Sequence, residues 1–269
     1  MVGMQEVAGE IEDLVNFASD NQRREELGLP VQQTTNHLVF SGNPGTGKTT
    51  IAADVAKLYN ALGILPTDKF MAIDKGAWVG EYANKIEGTV TEIFKQAKGG
   101  VLFIDEAYTL ADDEYGRRAA NQIMKLMEEN KDDTVVIIAG YPRQMQNLIS
   151  INPGFASRFP RTINFPDYSA SEQSQILGTM MQSNQDRVAD SKTGKTLNSV
   201  ISTMAKKNPP ENARGVRNLH DALIKARATR LAGQNVSPNA ISEFTSQDVK
   251  VAAGKIGIVQ VQKGKMVKQ

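Results

Sequence analysis

The chain has 269 residues, with 31 Lys and Arg against 30 Asp and Glu, and a formal net charge of +1. That balance excludes a protein whose main work is coating nucleic acid, because neutralising phosphates needs a surplus of positive charge. With no Cys and only His37 and His220, disulfides, thiolate catalysis and Cys- or His-rich metal sites are excluded too. No apolar run approaches the ~20 residues of a membrane span. The opening stretch, MVGMQEVAGEIEDL, is acidic and amphipathic and lacks the apolar core of a signal peptide, so a cytoplasmic location is expected.

Apolar residues at Val7, Ile11, Leu14 and Val15 predict a helix that ends near Gly28-Leu29-Pro30. Strand-like and helical runs then alternate. Strands are expected at 37–40, 70–73, 101–104, 134–139 and 162–165, and helices at 48–62, 85–98 and 116–130. Continuous apolar strands between helices imply a mainly parallel sheet covered on both faces, an α/β fold. Beyond Phe165-Pro166-Asp167 the pattern is only helical, over 170–182, 196–206 and 214–231, with a shorter helix near Thr245. Ser169 and Glu172 form a capping-box pattern at the first of these. The expected organisation is an α/β core over 1–166, a helical domain over 167–253 and a basic tail over 254–269.

Gly42-Asn43-Pro44-Gly45-Thr46-Gly47-Lys48-Thr49 fits G-x-x-x-x-G-K-[ST], after a strand and at the start of a helix. Glycines let backbone N–H groups converge on phosphates, and the helix N-terminus adds positive potential. Lys48 is placed to reach the β- and γ-phosphates and Thr49 to hold Mg²⁺, with Thr50 beside it. A second element supports the first. Val101-Leu102-Phe103-Ile104 ends in Asp105 and Glu106, so both acids fall at the C-terminal edge of the sheet, where α/β proteins bind ligands. Asp105 is expected to act through Mg²⁺ and Glu106 to polarise the attacking water. The expected activity is nucleotide hydrolysis.

Two other motifs are decoys. Gly194-Lys195-Thr196 repeats the GKT tripeptide, but Ala189 stands where the first glycine belongs and no strand precedes it. Asn130-Lys131-Asp132-Asp133 matches a guanine-reading pattern, but it precedes a strand instead of following one. ATP is therefore the expected nucleotide.

In SGNPGTGKTT, GGVLFIDEAYTL, VVIIAGYP and INPGFASRFPRTINFPDYS the chain resembles AAA+ ATPases of the CbbX/SpoVK/EccA group. The stretches QTTNHLVF and AKLYNALGIL look most like the ATPase domain of EccA-type proteins of type VII secretion systems. The resemblance implies a sheet of order 5-1-4-3-2 with a C-terminal helical lid. It implies that Arg158 is an arginine finger entering a neighbouring subunit's site, assisted by Arg161, and that Arg214 is the lid's sensor arginine, with Arg217 as the alternative. It gives Tyr141 the sensor position after the fourth strand, and makes Val2 and Gly3 an adenine-contacting segment.

The resemblance also places a pore loop at Trp78-Val79-Gly80-Glu81-Tyr82, with Trp78 or Tyr82 as the gripping aromatic. A large ring grips by area rather than by directional bonds. The segment departs from the group at Asn84 and at Ile86-Glu87-Gly88-Thr89. Together these features imply a homohexameric, ATP-driven protein remodeller with a protein substrate; a membrane segment or a nucleic-acid partner is not expected. The alternatives are a nucleic-acid-acting AAA+ protein and an ATP-gated assembly scaffold. Substrates of such motors are usually chosen by a separate N-terminal domain or an adaptor, and no such domain precedes Val2 in this sequence.

Overall fold

The computed structural model describes residues 2–31, 35–78, 85–131, 133–151, 153–207 and 210–258. Its internal contacts divide the chain into two units. The core unit comprises 4–43 and 47–166; the helical unit gathers 167–258 together with residues 2–3 and 44–46.

The core unit is built on β1 (Leu38–Gly42), β2 (Phe70–Ile73), β3 (Val101–Ile104), β4 (Val135–Gly140) and β5 (Arg161–Phe165). The strands run parallel in the order β2-β3-β4-β1-β5, which is the expected 5-1-4-3-2 order counted from the other edge. β1, β3 and β4 are buried along their whole length. That is why they read as unbroken apolar runs, since strands covered on both faces have no polar side to alternate with. The period of two still sorts their side chains. Leu38, Phe40, Val101 and Phe103 face one apolar layer with α1 (Gln5–Glu26) and α2 (Lys48–Ala61). Val39, Leu102 and Ile104 face the other, with α3 (Ile86–Ala97), α4 (Glu114–Glu129), α5 (Pro142–Ile151) and α6 (Pro153–Arg158).

Beyond the paired residues of β1, the Nδ1 atom of buried His37 accepts the Val136 N–H at 3.0 Å and satisfies a sheet donor. α4 begins at Glu114, slightly earlier than its apolar period suggests, because the Asp113 carboxylate accepts the Gly116 N–H at 2.7 Å and caps it. α5, α6 and two short 3-10 turns, Lys75–Ala77 and Ala107–Ala111, are not among the expected elements. α6 and the two turns are too short to show a helical period, whereas α5 does carry one in Met145, Leu148 and Ile149.

The helical unit contains α7 (Ala170–Ser183), β6 (Arg187–Val188), α8 (Ser191–Met204), α9 (Asn212–Leu231), α10 (Pro238–Ser242), β7 (Glu243–Phe244) and α11 (Ser246–Lys255). Leu177, Leu197, Val216, Leu223, Phe244 and Val249 sit in its apolar centre. The Ser169–Glu172 capping box opens α7, as the sequence predicts. Three expectations change. A two-residue parallel pair, β6 with β7, joins segments read as strand-free; two residues are too few to carry a pattern. α8 starts at Ser191 because the Asp190 carboxylate accepts the Thr193 N–H at 2.6 Å. α11 runs to Lys255, and Ile258 is buried against the helical core, so the stretch read as a tail from residue 254 begins inside the unit.

Candidate active site

The phosphate loop starts where β1 ends. Gly45 and Gly47 hold φ of 73° and 92°, a region that only glycine enters freely. Alternating backbone of this kind turns successive N–H groups toward one point, an anion-binding nest. Gly47 also stands at the N-terminus of α2, whose first turn exposes Thr49 and Thr50. Lys48 Nζ folds back on the loop, donating to the carbonyls of Gly42 and Asn43 at 2.8 Å each.

The two acids follow β3 in the core unit. The Asp105 N–H donates to the Ile73 carbonyl at 2.8 Å, which extends the β2–β3 pairing by one residue and fixes the acid at the strand end. Asp105 Oδ1 accepts the Glu106 N–H at 3.0 Å. Glu106 is exposed and has φ 49°, a left-handed conformation that costs a residue with a Cβ and recurs at functional positions. The 3-10 turn behind it holds this shape, with the Thr109 N–H and Oγ1 donating to the Glu106 carbonyl at 3.0 and 2.8 Å. Tyr141 follows β4, its ring 5.6 Å from that of Tyr108. Burial pushes the Tyr108 phenol up to about 12, with Glu106 and Tyr141 adding to the shift. Tyr108 is a site neighbour that the sequence signals only by its place inside IDEAYTL.

The donor set suits magnesium. Mg²⁺ is usually held by one or two carboxylates plus substrate phosphates and keeps several waters. The core unit offers the Thr49 hydroxyl and the Asp105 carboxylate, and no group of three or more acidic or His side chains forms a complete protein cage among the described residues.

The helical unit gathers a second set of residues around the middle of the loop. A Cβ on Gly45 would lie 2.6 Å from the Glu211 carbonyl and 2.8 Å from the Arg214 nitrogen, so the loop tip lies against the first turn of α9. Arg214 is exposed there, and Arg217 is exposed one turn later. Gly3 has φ 65°, and a Cβ on it would lie 2.5 Å from Glu172 Oε1 and 3.1 Å from the Tyr168 ring. Gly3 thus lies against Tyr168 and Glu172, and Val2 and Gly3 fall in the same compact unit as residues 44–46.

Arg158 lies elsewhere. It ends α6 just before β5, at the edge of the sheet where β1 and β5 begin, whereas Gly42 ends β1 at the opposite edge. The five residues of β1 separate these edges by about 16 Å. The Arg158 carbonyl accepts from Thr35 Oγ1 at 2.8 Å, Nη1 donates to the Gly154 carbonyl at 3.4 Å, and Nη2 pairs with Glu128 at 3.5 Å. Its buried Nε has no partner among the described residues. Arg158 lines a cavity of about 620 Å³ with His37, Tyr59, Met127 and Arg161, whose guanidinium lies 5.4 Å from the Phe17 ring centre. Burial, with Arg158 nearby, lowers the His37 pKa to about 4.

Two family profiles match the chain: "ATPase family associated with various cellular activities (AAA)" over residues 38–167 and "AAA lid domain" over 169–256. The chain is 34% identical over 257 residues to the stage V sporulation protein K of Bacillus subtilis, covering 93% of this chain and 80% of that protein. The chain belongs to the AAA ATPase family. It is also similar to the protein CbbX of Cereibacter sphaeroides, 36% identical over 94% of this chain and 84% of that protein. The ESX-3 secretion system protein EccA3 of Mycolicibacterium smegmatis is 35% identical over 95% of this chain and 45% of its own length.

As an AAA ATPase the chain hydrolyses ATP, and its P-loop core and lid are those the sequence led us to expect. The expected pore-loop aromatic needs a correction. Trp78 is 1% exposed and belongs to the same apolar layer as Ile86, Val90, Phe94 and Leu110, because a large apolar ring gains more from the core than from water. In this position it cannot grip a peptide. Val79, Gly80 and Tyr82 lie outside the described residues. Of the decoys, Gly194-Lys195-Thr196 lies inside α8, past its capped start at Ser191; the two-residue β6 does precede it, which the sequence did not show, but Ala189 still stands where the first glycine belongs, and Asn130 caps the end of α4. Among the described residues no helix is long and apolar enough to cross a membrane.

Proposed function

We propose that this AAA ATPase is a protein remodeller that works as a homohexameric ring, each ATP being held by one subunit and completed by Arg158 of the next. The observation that carries this reading is the placement of Arg158 at the sheet edge opposite Gly42, about 16 Å away along β1. From there a finger serves a neighbour's nucleotide more readily than its own. In this reading the nest of Gly42–Gly47 and Lys48 bind the phosphates, Thr50 lying beside them. Glu106 orients and deprotonates the attacking water. Val2, Gly3, Tyr141 and Arg214 contact the nucleotide. When bound through Thr49 and Asp105, Mg²⁺ offsets phosphate charge. Arg158 offers its guanidinium to charge developing on the γ-phosphoryl oxygens, an effect worth about 10³–10⁵ in rate in other P-loop enzymes. The burial of Trp78 favours Tyr82 as the aromatic that grips a protein substrate. The remodelling role itself rests on the family resemblance.

The test is the solution mass of Glu106→Gln, measured by light scattering with and without Mg·ATP. This variant is expected to bind ATP, not turn it over, and shift from monomer to hexamer. Mixing Arg158→Ala with Lys48→Ala subunits is expected to restore some activity, since each supplies what the other lacks. Rapid turnover by the Gln variant would refute the role given to Glu106, and no recovery in co-assembled mixtures would refute the shared site.

A further inference from the structure

Asn212 opens α9, is 1% exposed, and has φ 52°. Left-handed backbone costs most residues roughly 1–2 kcal/mol, and asparagine is among the few that visit it routinely. Its amide is engaged on both sides. Oδ1 accepts the Tyr168 N–H at 2.9 Å, while Nδ2 donates to the Pro44 carbonyl at 3.1 Å and to Asp167 Oδ1 at 2.8 Å. The next residue, Ala213, donates its N–H to the Gly45 carbonyl at 3.1 Å, and the Tyr168 hydroxyl reaches the Thr46 carbonyl at 3.4 Å. Three consecutive carbonyls of the phosphate loop are thus held from one side. In a planar trans peptide each carbonyl points opposite to the following N–H. Holding the carbonyls of Pro44, Gly45 and Thr46 therefore turns the N–H groups of Gly45, Thr46 and Gly47 the other way, as a phosphate nest requires.

The same side chain grips Asp167 and Tyr168, where the chain passes from the core unit into the helical unit. We propose that Asn212 is a positioning residue for nucleotide binding, aiming the loop N–H groups and tying them to the Asp167–Tyr168 junction, so that phosphate occupancy is felt there. The proposal rests on the reading of residues 42–49 as the ATP phosphate site. Asn212 acts through the loop and does not itself touch the reacting atoms.

Two variants of the full chain separate positioning from stability. Asn212→Gly accepts φ 52° and removes the amide. Asn212→Asp combined with Asp167→Asn restores a hydrogen bond between positions 212 and 167 and an acceptor for the Tyr168 N–H, but gives Pro44 no donor. For both we expect the KM for ATP to rise about tenfold with kcat changed less than about threefold. The double variant is expected to keep the nucleotide-free melting temperature of the wild type. In the wild type, ATP should slow hydrogen exchange at the Tyr168 amide, and in the double variant it should not. An unchanged KM and unchanged ATP-dependent protection of Tyr168 in the double variant, beside normal wild-type turnover, would overturn the proposal alone. Wild-type protein that neither bound nor hydrolysed ATP would instead overturn the phosphate-site reading and this proposal with it.

Discussion

His37 makes the core unit sensitive to acid, and its surroundings set the size of the effect. The ring is 4% exposed, its Nδ1 accepts the Val136 N–H, and the Phe159 ring lies 5.9 Å away. Protonation would place a hydrogen on Nδ1 where it already faces a donor, and would bury a cation near Arg158. The folded-state pKa is accordingly lowered to about 4 from an ordinary 6.5, by burial first and by Arg158 second. The unfolded chain therefore takes up its proton at higher pH than the folded one. The stability owed to neutral His37 is full above about pH 6.5, falls as the pH drops below that, and is exhausted near pH 4. At about pH 5 the shortfall is about 1.5 pH units at 1.36 kcal/mol each, or about 2 kcal/mol. His37→Asn keeps an acceptor near the Nδ1 position and cannot titrate. Urea unfolding can be followed by the fluorescence of Trp78, the chain's single Trp, which is buried in the core unit. Between about pH 7.5 and pH 5 the wild type should lose about 2 kcal/mol more than His37→Asn. Equal losses in the two proteins would refute the reasoning, as would an NMR titration of folded His37 near 6.5.

Two further outcomes follow from single positions. Trp78→Ala should cost about 3–5 kcal/mol, as large buried aromatics do, whereas Trp78→Phe should cost much less, since it also removes an indole N–H with no acceptor among the described residues; thermal unfolding followed by circular dichroism ranks them, and a mild Ala variant would show that Trp78 is not packed as described. Gly45→Ala should abolish detectable ATP binding in calorimetry while the helical content survives, because its Cβ would meet the Glu211 carbonyl at 2.6 Å on a backbone with φ 73°; wild-type affinity in this variant would show that the loop tip is not held there.

The features legible in the sequence were those whose signal is contiguous. The four apolar residues 101–104 followed by Asp105 and Glu106 marked both a buried strand and the acids at its end, since side chains one residue apart need no tertiary information to be read together. The phosphate loop is likewise one unbroken run, and its glycines announce a backbone that other residues resist. Ser169 and Glu172 announced the start of α7 through a bond spanning three residues.

The tertiary structure decided whatever depends on partners distant in the chain. The resemblance puts Trp78 in a pore loop, yet the core closes over it. The fate of one aromatic in a polar loop depends on whether helices such as α3 leave a space for it. His37 and Val136 are 99 positions apart, and Asn212 and Pro44 are 168 apart. Neither pairing leaves a local pattern, because hydrogen bonding and burial depend on distance in space. The sequence by itself determined that this chain folds as a parallel α/β core with a helical unit and carries a phosphate loop beside two acids. Only the tertiary structure decided which buried polar groups hold that loop in shape, and that Arg158 stands at the far edge of the sheet from it.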